Sequence, residues 1–309
     1  MGKCGRNTPV SEFITSIEGT QAGATLATAF ALLAALLHAI FGALQKGRHE
    51  PLLARGAIDA SYGLMAAPFA LFVVPWPEPH MWPIFAGAFV IHALYKWAAL
   101  ASYRRGAYTV VYPVMRGTGP LFTVIGAWFL FGETFNATQW FGVVVLLSGL
   151  YGLAAYNMVH ITVARDTLIP ALWLAVLTGL FVALYTTFDA YGIRATADPF
   201  TFLAWFFFID GVLYPFIAAR YYRTLSDPPP LGPLALRGVI GGFVAFGSFG
   251  SIMLATRLDQ VGEAAILRET STVFAALIGW LLLGDRVGPR RIALMGLIAA
   301  GAVIVEAGG

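Results

Sequence analysis

Apolar residues run through this chain in blocks of about twenty, separated by short connectors rich in glycine, proline or charge. Blocks of that length predict membrane-spanning helices, whereas the strands of a membrane barrel would alternate over about ten residues. The windows predict ten helices, at 23–45, 54–75, 82–103, 107–132, 138–158, 168–190, 199–221, 234–256, 260–284 and 289–307. Pro75-Trp76-Pro77 ends the second, and SDPPPLGP (Ser226 to Pro233) parts the seventh from the eighth. The longest connector is about a dozen residues, which leaves no room for a water-soluble domain. Residues 1–22 form a polar leader that reads as unstructured. It is not a signal peptide: Glu12 and Glu18 lie in it, and the apolar run behind it continues past signal length into GALQKGRHEP.

Two blocks resemble each other. VVYPVMRGTGPLFTVIGAWFLFGE (Val110 to Glu133) and AAILRETSTVFAALIGWLLLGD (Ala264 to Asp285) align at a constant offset of 152 residues. Arg116 then falls on Arg268, Thr118 on Thr270, Phe122 on Phe274, Trp128 on Trp280, and Gly132-Glu133 on Gly284-Asp285. HAIFGAL (His38 to Leu44) has a weaker echo in TGLFVAL (Thr178 to Leu184). Two five-helix halves follow, residues 23–160 and 166–309. An odd number of helices per half sends the second half through the membrane the other way up. The predicted fold class is an all-α membrane protein of ten transmembrane helices in two inverted five-helix repeats. Inverted repeats build transporters whose site lies near the midplane between the halves.

With AALLHAIFGALQK, VALYTTFDAYGIR, AWFFFIDGVLYP and LRETSTVFAALIGWLLLGDR, these features resemble the EamA branch of the drug/metabolite transporter superfamily. The likeness covers nearly the whole chain from about Gly23. It implies a multi-pass protein of the inner or plasma membrane that moves, or exports, a metabolite. It does not imply which one, since members carry amino acids, nucleotide sugars, sugar phosphates, choline and others. In that family the acidic residue after Gly, here Glu133 and Asp285, is structural.

Composition agrees with the membrane reading. Of 309 residues, 59% are hydrophobic and 11% charged, and the mean hydropathy is +0.76; a soluble domain carries about 25% charge. The net charge of +3 comes from connector arginines, and no basic stripe interleaved with aromatics offers a nucleic-acid face. The single cysteine, Cys4, allows no internal disulfide. Lys46, Arg48, Arg55, Arg104, Arg105, Arg165, Arg220, Arg223, Arg286, Arg290 and Arg291 follow odd-numbered helices. Only Arg194 and Arg257 follow even-numbered ones, with Lys3 and Arg6 in the leader. That bias places both termini outside, while the family resemblance implies termini inside.

An ionised side chain at a helix centre costs about 2.5–3.5 kcal/mol on insertion scales, so such residues face protein or water. Arg116 and Arg268 lead the candidates, because a guanidinium fork suits carboxylate or phosphate. The competing reading is an internal clamp, Arg268 with Asp210 or Arg116 with Glu269. Lys96, Tyr112, Thr272 and Trp205 join the arginines as candidate solute contacts. Lys96 and His92 are one turn apart and suit proton coupling; the alternative for Lys96 is snorkelling to the interface. His38, His92, Asp189, Asp210 and Glu269 are the coupling or gating candidates, with Tyr185 expected to donate to Asp189. Gly117, Gly119 and Pro120 weaken helix hydrogen bonding and are the candidate hinge. In the run Trp205 to Phe208 at most two rings are expected to line a cavity and the rest to meet lipid. Glu263 is expected at a rim or cap, and Gly238 with Gly242 marks a close helix approach.

No zinc-protease, nucleophile-elbow or phosphate-loop motif occurs, so an enzyme is not expected, and neither is a cofactor or metal. Ten spans argue against a retinal-type receptor, and a channel would not need hinges in both halves. The predicted function is a secondary transporter of a small polar metabolite, anionic or zwitterionic, such as an amino acid or related organic acid. It works by alternating access, as a monomer or homodimer, with the solute and the bilayer as its only partners. A flippase of a lipid-linked or amphipathic solute is the alternative.

Overall fold

The computed structural model describes residues 9–45, 50–106, 108–160, 165–283 and 288–309. Cys4, Lys46, Arg48, Gly284, Asp285 and Arg286 lie outside them. The helices are α1 (Pro9–Ser16), α2 (Gln21–Gln45), α3 (Pro51–Pro68), α4 (Met81–Arg105), α5 (Tyr108–Phe131), α6 (Ala137–His160), α7 (Arg165–Arg194), α8 (Pro199–Asp210), α9 (Leu213–Tyr222), α10 (Leu231–Leu258), α11 (Val261–Arg268), α12 (Ser271–Leu283) and α13 (Pro289–Gly308). The described residues are 86% helical, and no strand occurs among them. Ten segments are long and apolar enough to cross a membrane, so the protein is an all-α multi-pass membrane protein.

Local chemistry starts these helices where it should. Glu50 accepts from Leu52 N (2.7 Å) and Leu53 N (3.1 Å) ahead of Pro51 in the first turn of α3. Asp198 does the same for α8, accepting from Phe200 N at 2.9 Å ahead of Pro199. Glu133 caps another helix altogether: its carboxylate accepts from Val261 N (2.9 Å) and Gly262 N (3.0 Å) and so starts α11. The anchoring role expected of Glu133 is thus a cap across the bundle, while Glu263 accepts from Gln139 instead.

Four expectations change. The leader is not unstructured: α1 lies in it, with Ser11 and Ile14 buried and the Ser11 hydroxyl donating to Asp198 at 2.7 Å. The second span ends in a π turn, Phe69–Val73, behind Pro68. The seventh span is two helices, α8 and α9, broken at Gly211-Val212. A Cβ on Gly211 would sit 2.6 Å from Gly63 Cα, so the two backbones touch there, and no side chain fits. The ninth span breaks at Glu269-Thr270 into α11 and α12. By contrast α5 is continuous through Gly117, Gly119 and Pro120, where small residues let Tyr151 and Val182 approach.

Trp205, Phe206 and Phe207 are all buried, contrary to the expectation that most of that run meets lipid. The reason is position: α8 is enclosed by α3, α4, α7 and α10. The close approach read from Gly238 and Gly242 is present, because α10 lies on α3 with Ala57 and Ser61 against those glycines. Large apolar side chains such as Phe72, Phe129, Trp173 and Phe243 point outward, while Asp59, Lys96, Arg116, Arg268 and Glu269 point in. Apolar outside and charged inside is the distribution a bilayer demands.

One end of the bundle is tied shut by polar contacts. Arg257 pairs with Glu18 behind α1 and donates to the carbonyls of Ile193 and Thr196. Arg194 donates to the carbonyls of Thr256 (2.8 Å) and Asp259 (2.7 Å).

Candidate functional site

Three buried ionic groups occupy the interior. The first is centred on Lys96 of α4, which is 2% exposed. Its ammonium donates to Asp59 (2.7 Å), to both carboxylate oxygens of Asp210 (2.8 and 2.7 Å) and to the Tyr62 hydroxyl (3.0 Å). Lys96 therefore does not snorkel; it ties α4 to α3 and to the broken end of α8. Arg55 joins through its Nε, 2.7 Å from the other oxygen of Asp59. Two cations face two carboxylates, so the group is neutral, as burial requires.

The second is His92 with Asp189, 2.8 Å apart. Tyr185, expected to donate to Asp189, instead lays its ring 4.6 Å from the His92 ring. His92 and Lys96, read as one pair on one face, thus serve separate carboxylates.

The third is Arg116 in the break of the ninth span. Its Nε lies 2.7 Å from Glu269, and one terminal nitrogen donates to the Arg268 carbonyl (3.0 Å) and the Ser271 hydroxyl (2.9 Å). All three partners come from the turn between α11 and α12, whose freed backbone and carboxylate thereby gain a cation. The clamp of Arg116 with Glu269 is present, and that of Arg268 with Asp210 is not, since Lys96 holds Asp210.

A cavity of about 100 Å³ joins the first and third of these groups. Arg55, Lys96, Arg116, His38, Tyr112 and Tyr185 are among its walls, and it reaches the helix ends at Gly42, Pro51 and Tyr103. That end is opposite the one tied by Arg257 and Arg194. Of the sequence candidates, Arg116, Lys96, Tyr112 and His38 line this cavity. Arg268 and Asp189 face a separate crevice beside Thr186 and Thr256, where Arg268 Nε and one Asp189 oxygen have no partner among the described residues. His92 and Asp210 line a second small crevice. Thr272 is buried with its hydroxyl unpartnered among the described residues, and Trp205 packs between Trp76 (4.9 Å, tilted) and Trp82 (5.3 Å, edge-on). Neither is part of the cavity wall.

Residues 169–306 match the model of the EamA-like transporter family. That segment is thus similar to a family of the drug/metabolite transporter superfamily. EamA family members are membrane transporters, not enzymes. A crystal structure superposes on the chain at TM-score 0.73 with 18% identity, over 92% of this chain and 96% of that one. At that identity it speaks to the fold alone, which the two chains share over nearly their whole length. No curated protein sequence matches the chain.

Sequence reasoning passed over Asp59 and Tyr62 and counted Arg55 only as a connector charge. The signal was present in ARGAIDASYG: positions 55, 59 and 62 recur at helical spacing on one face of an otherwise apolar span.

Proposed function

We propose that the chain is a secondary transporter of a small polar metabolite, anionic or zwitterionic, working by alternating access in the inner or plasma membrane. The observation that carries this reading is the cavity bounded by α2, α3, α4, α5 and α7, with Arg116 in its wall and the opposite end of the bundle tied shut. An interior that opens at one end only is what one state of an alternating cycle requires. Helix breaks at Gly211-Val212 and Glu269-Thr270 supply hinges, with Gly117, Gly119 and Pro120 giving α5 room to bend. The mouth lies at the arginine-rich end, which the positive-inside rule turns toward the cytoplasm. The inverted repeat supplies the second state, in which the tied end opens and the mouth closes. His92 with Asp189 is the candidate coupling pair.

The test is counterflow in proteoliposomes with radiolabelled amino acids and organic acids, run beside a fluorescent phospholipid. Saturable accumulation of a solute without lipid movement supports the transporter. Lipid movement without solute accumulation replaces it with the flippase.

A further inference from the structure

We propose that the anion clamp of the cavity is Arg55 together with Arg116, not Arg116 with Arg268, and that the solute it holds is an organic anion without an ammonium group. This rests on reading the cavity as the transport site.

Three cations line the cavity, but they are not equivalent. All the donors of Lys96 are engaged by Asp59, Asp210 and Tyr62, so it has nothing left for a solute. Arg55 sets its Nε 2.7 Å from Asp59 as an ion pair without hydrogen-bond geometry, and its two terminal nitrogens make no hydrogen bond or ion pair to a described residue. Arg116 spends Nε on Glu269 and one terminal nitrogen on Arg268 O and Ser271, which leaves the other uncommitted. Each guanidinium therefore sits with its Nε against a carboxylate and keeps terminal N–H groups for the cavity. A held guanidinium with free donors is a preorganised receptor for carboxylate or phosphate. Arg268 does not share the cavity wall.

The carboxylates are placed to matter as well. Among the described residues none lines the cavity. Asp59 and Glu269 are fully buried behind the arginines, and Asp210 behind Lys96. An ammonium brought in with an amino acid would find no anion to pair with and three cations nearby, so its desolvation would go uncompensated. Much of the remaining wall is apolar or aromatic, from Phe41, Ile58 and Val182 to the rings of Tyr95 and Tyr185. That surface suits the hydrocarbon part of a compact acid.

The test uses the purified full-length chain in detergent and two matched pairs, succinate against aspartate and 3-phenylpropanoate against phenylalanine. Within each pair the skeletons differ only by the α-ammonium. Isothermal titration is expected to show at least one acid binding about tenfold or more tighter than its amino acid. Arg55→Lys keeps a charge on Asp59 but loses the fork, and is expected to weaken that acid about tenfold. Arg223→Lys, the same replacement at an exposed connector position, is expected to leave the affinity unaltered. If Arg55→Lys does not fold, the neutral pair Arg55→Met with Asp59→Asn takes its place. Amino acids binding as well as their acids, neither acid binding at millimolar concentration, or a folded Arg55 variant with wild-type affinity would each overturn the proposal. Selective acid binding without uptake in proteoliposomes would instead remove the transport reading and leave the clamp standing.

Discussion

Replacing Lys96 by Met probes the ionic group that ties α3, α4 and α8 together. Lys96, Asp59 and Asp210 are 2%, 0% and 7% exposed. Without the ammonium, Asp210 keeps only the Tyr62 hydroxyl, and Asp59 keeps only Arg55. At an effective dielectric constant of about 20, each contact at 2.7 Å is a Coulomb attraction of about 6 kcal/mol. Most of that offsets the desolvation of the three groups, so the pair adds little net stability. Breaking it is different, because the carboxylate stays buried while its partner is gone. The expected cost is about 3–5 kcal/mol. For a chain of this length that is a fall in Tm of roughly 5–8 °C. The assay is thermal unfolding of the purified protein in detergent, followed by size-exclusion. Lys96→Met with Asp210→Asn removes charge from both sides and is expected to recover at least half of the loss. A single variant melting with the wild type, or a double variant no better than the single, would refute this view of the network.

Three more outcomes follow from particular contacts. Glu133→Ala removes the cap of α11 and costs about 1–2 kcal/mol, read as roughly tenfold faster hydrogen exchange at the amides of 261–264. Gly211→Val puts a branched side chain where even a Cβ would lie 2.6 Å from Gly63 Cα; it should lower stability by about 1–3 kcal/mol or prevent folding, and a wild-type Tm would count against the helix contact. Arg116→Ala strands the fully buried Glu269 and should cost about 3–5 kcal/mol. Arg116→Met with Glu269→Gln should restore the fold without restoring solute uptake, and recovery of uptake would assign Arg116 to structure alone.

The spans were legible because blocks of twenty apolar residues have few other uses. The breaks in the seventh and ninth spans were not. Gly211 gave a hint, but nothing local in RETST marks the turn at Glu269-Thr270; it is held from outside, by Arg116 of α5. The arginine at the core of the site was legible as a charge that apolar surroundings must explain. Its partner in the cavity was not, because Arg55 lies near a helix end and reads as a connector residue. Only the packing of α3 against α8, α9 and α10 turns it inward. Trp205 misled for the opposite reason: an aromatic run looks like a lipid-facing or cavity surface until its neighbours are known.

Sided labelling tests the central claim most directly. Leu100 lines the cavity, and Leu100→Cys in a Cys4→Ser background gives one reporter. A membrane-impermeant maleimide should reach it in proteoliposomes only from the face bearing the α2–α3 connection, and a saturating transported solute should protect it. Equal labelling from both faces at rest, or labelling that no transported solute slows, would contradict the account.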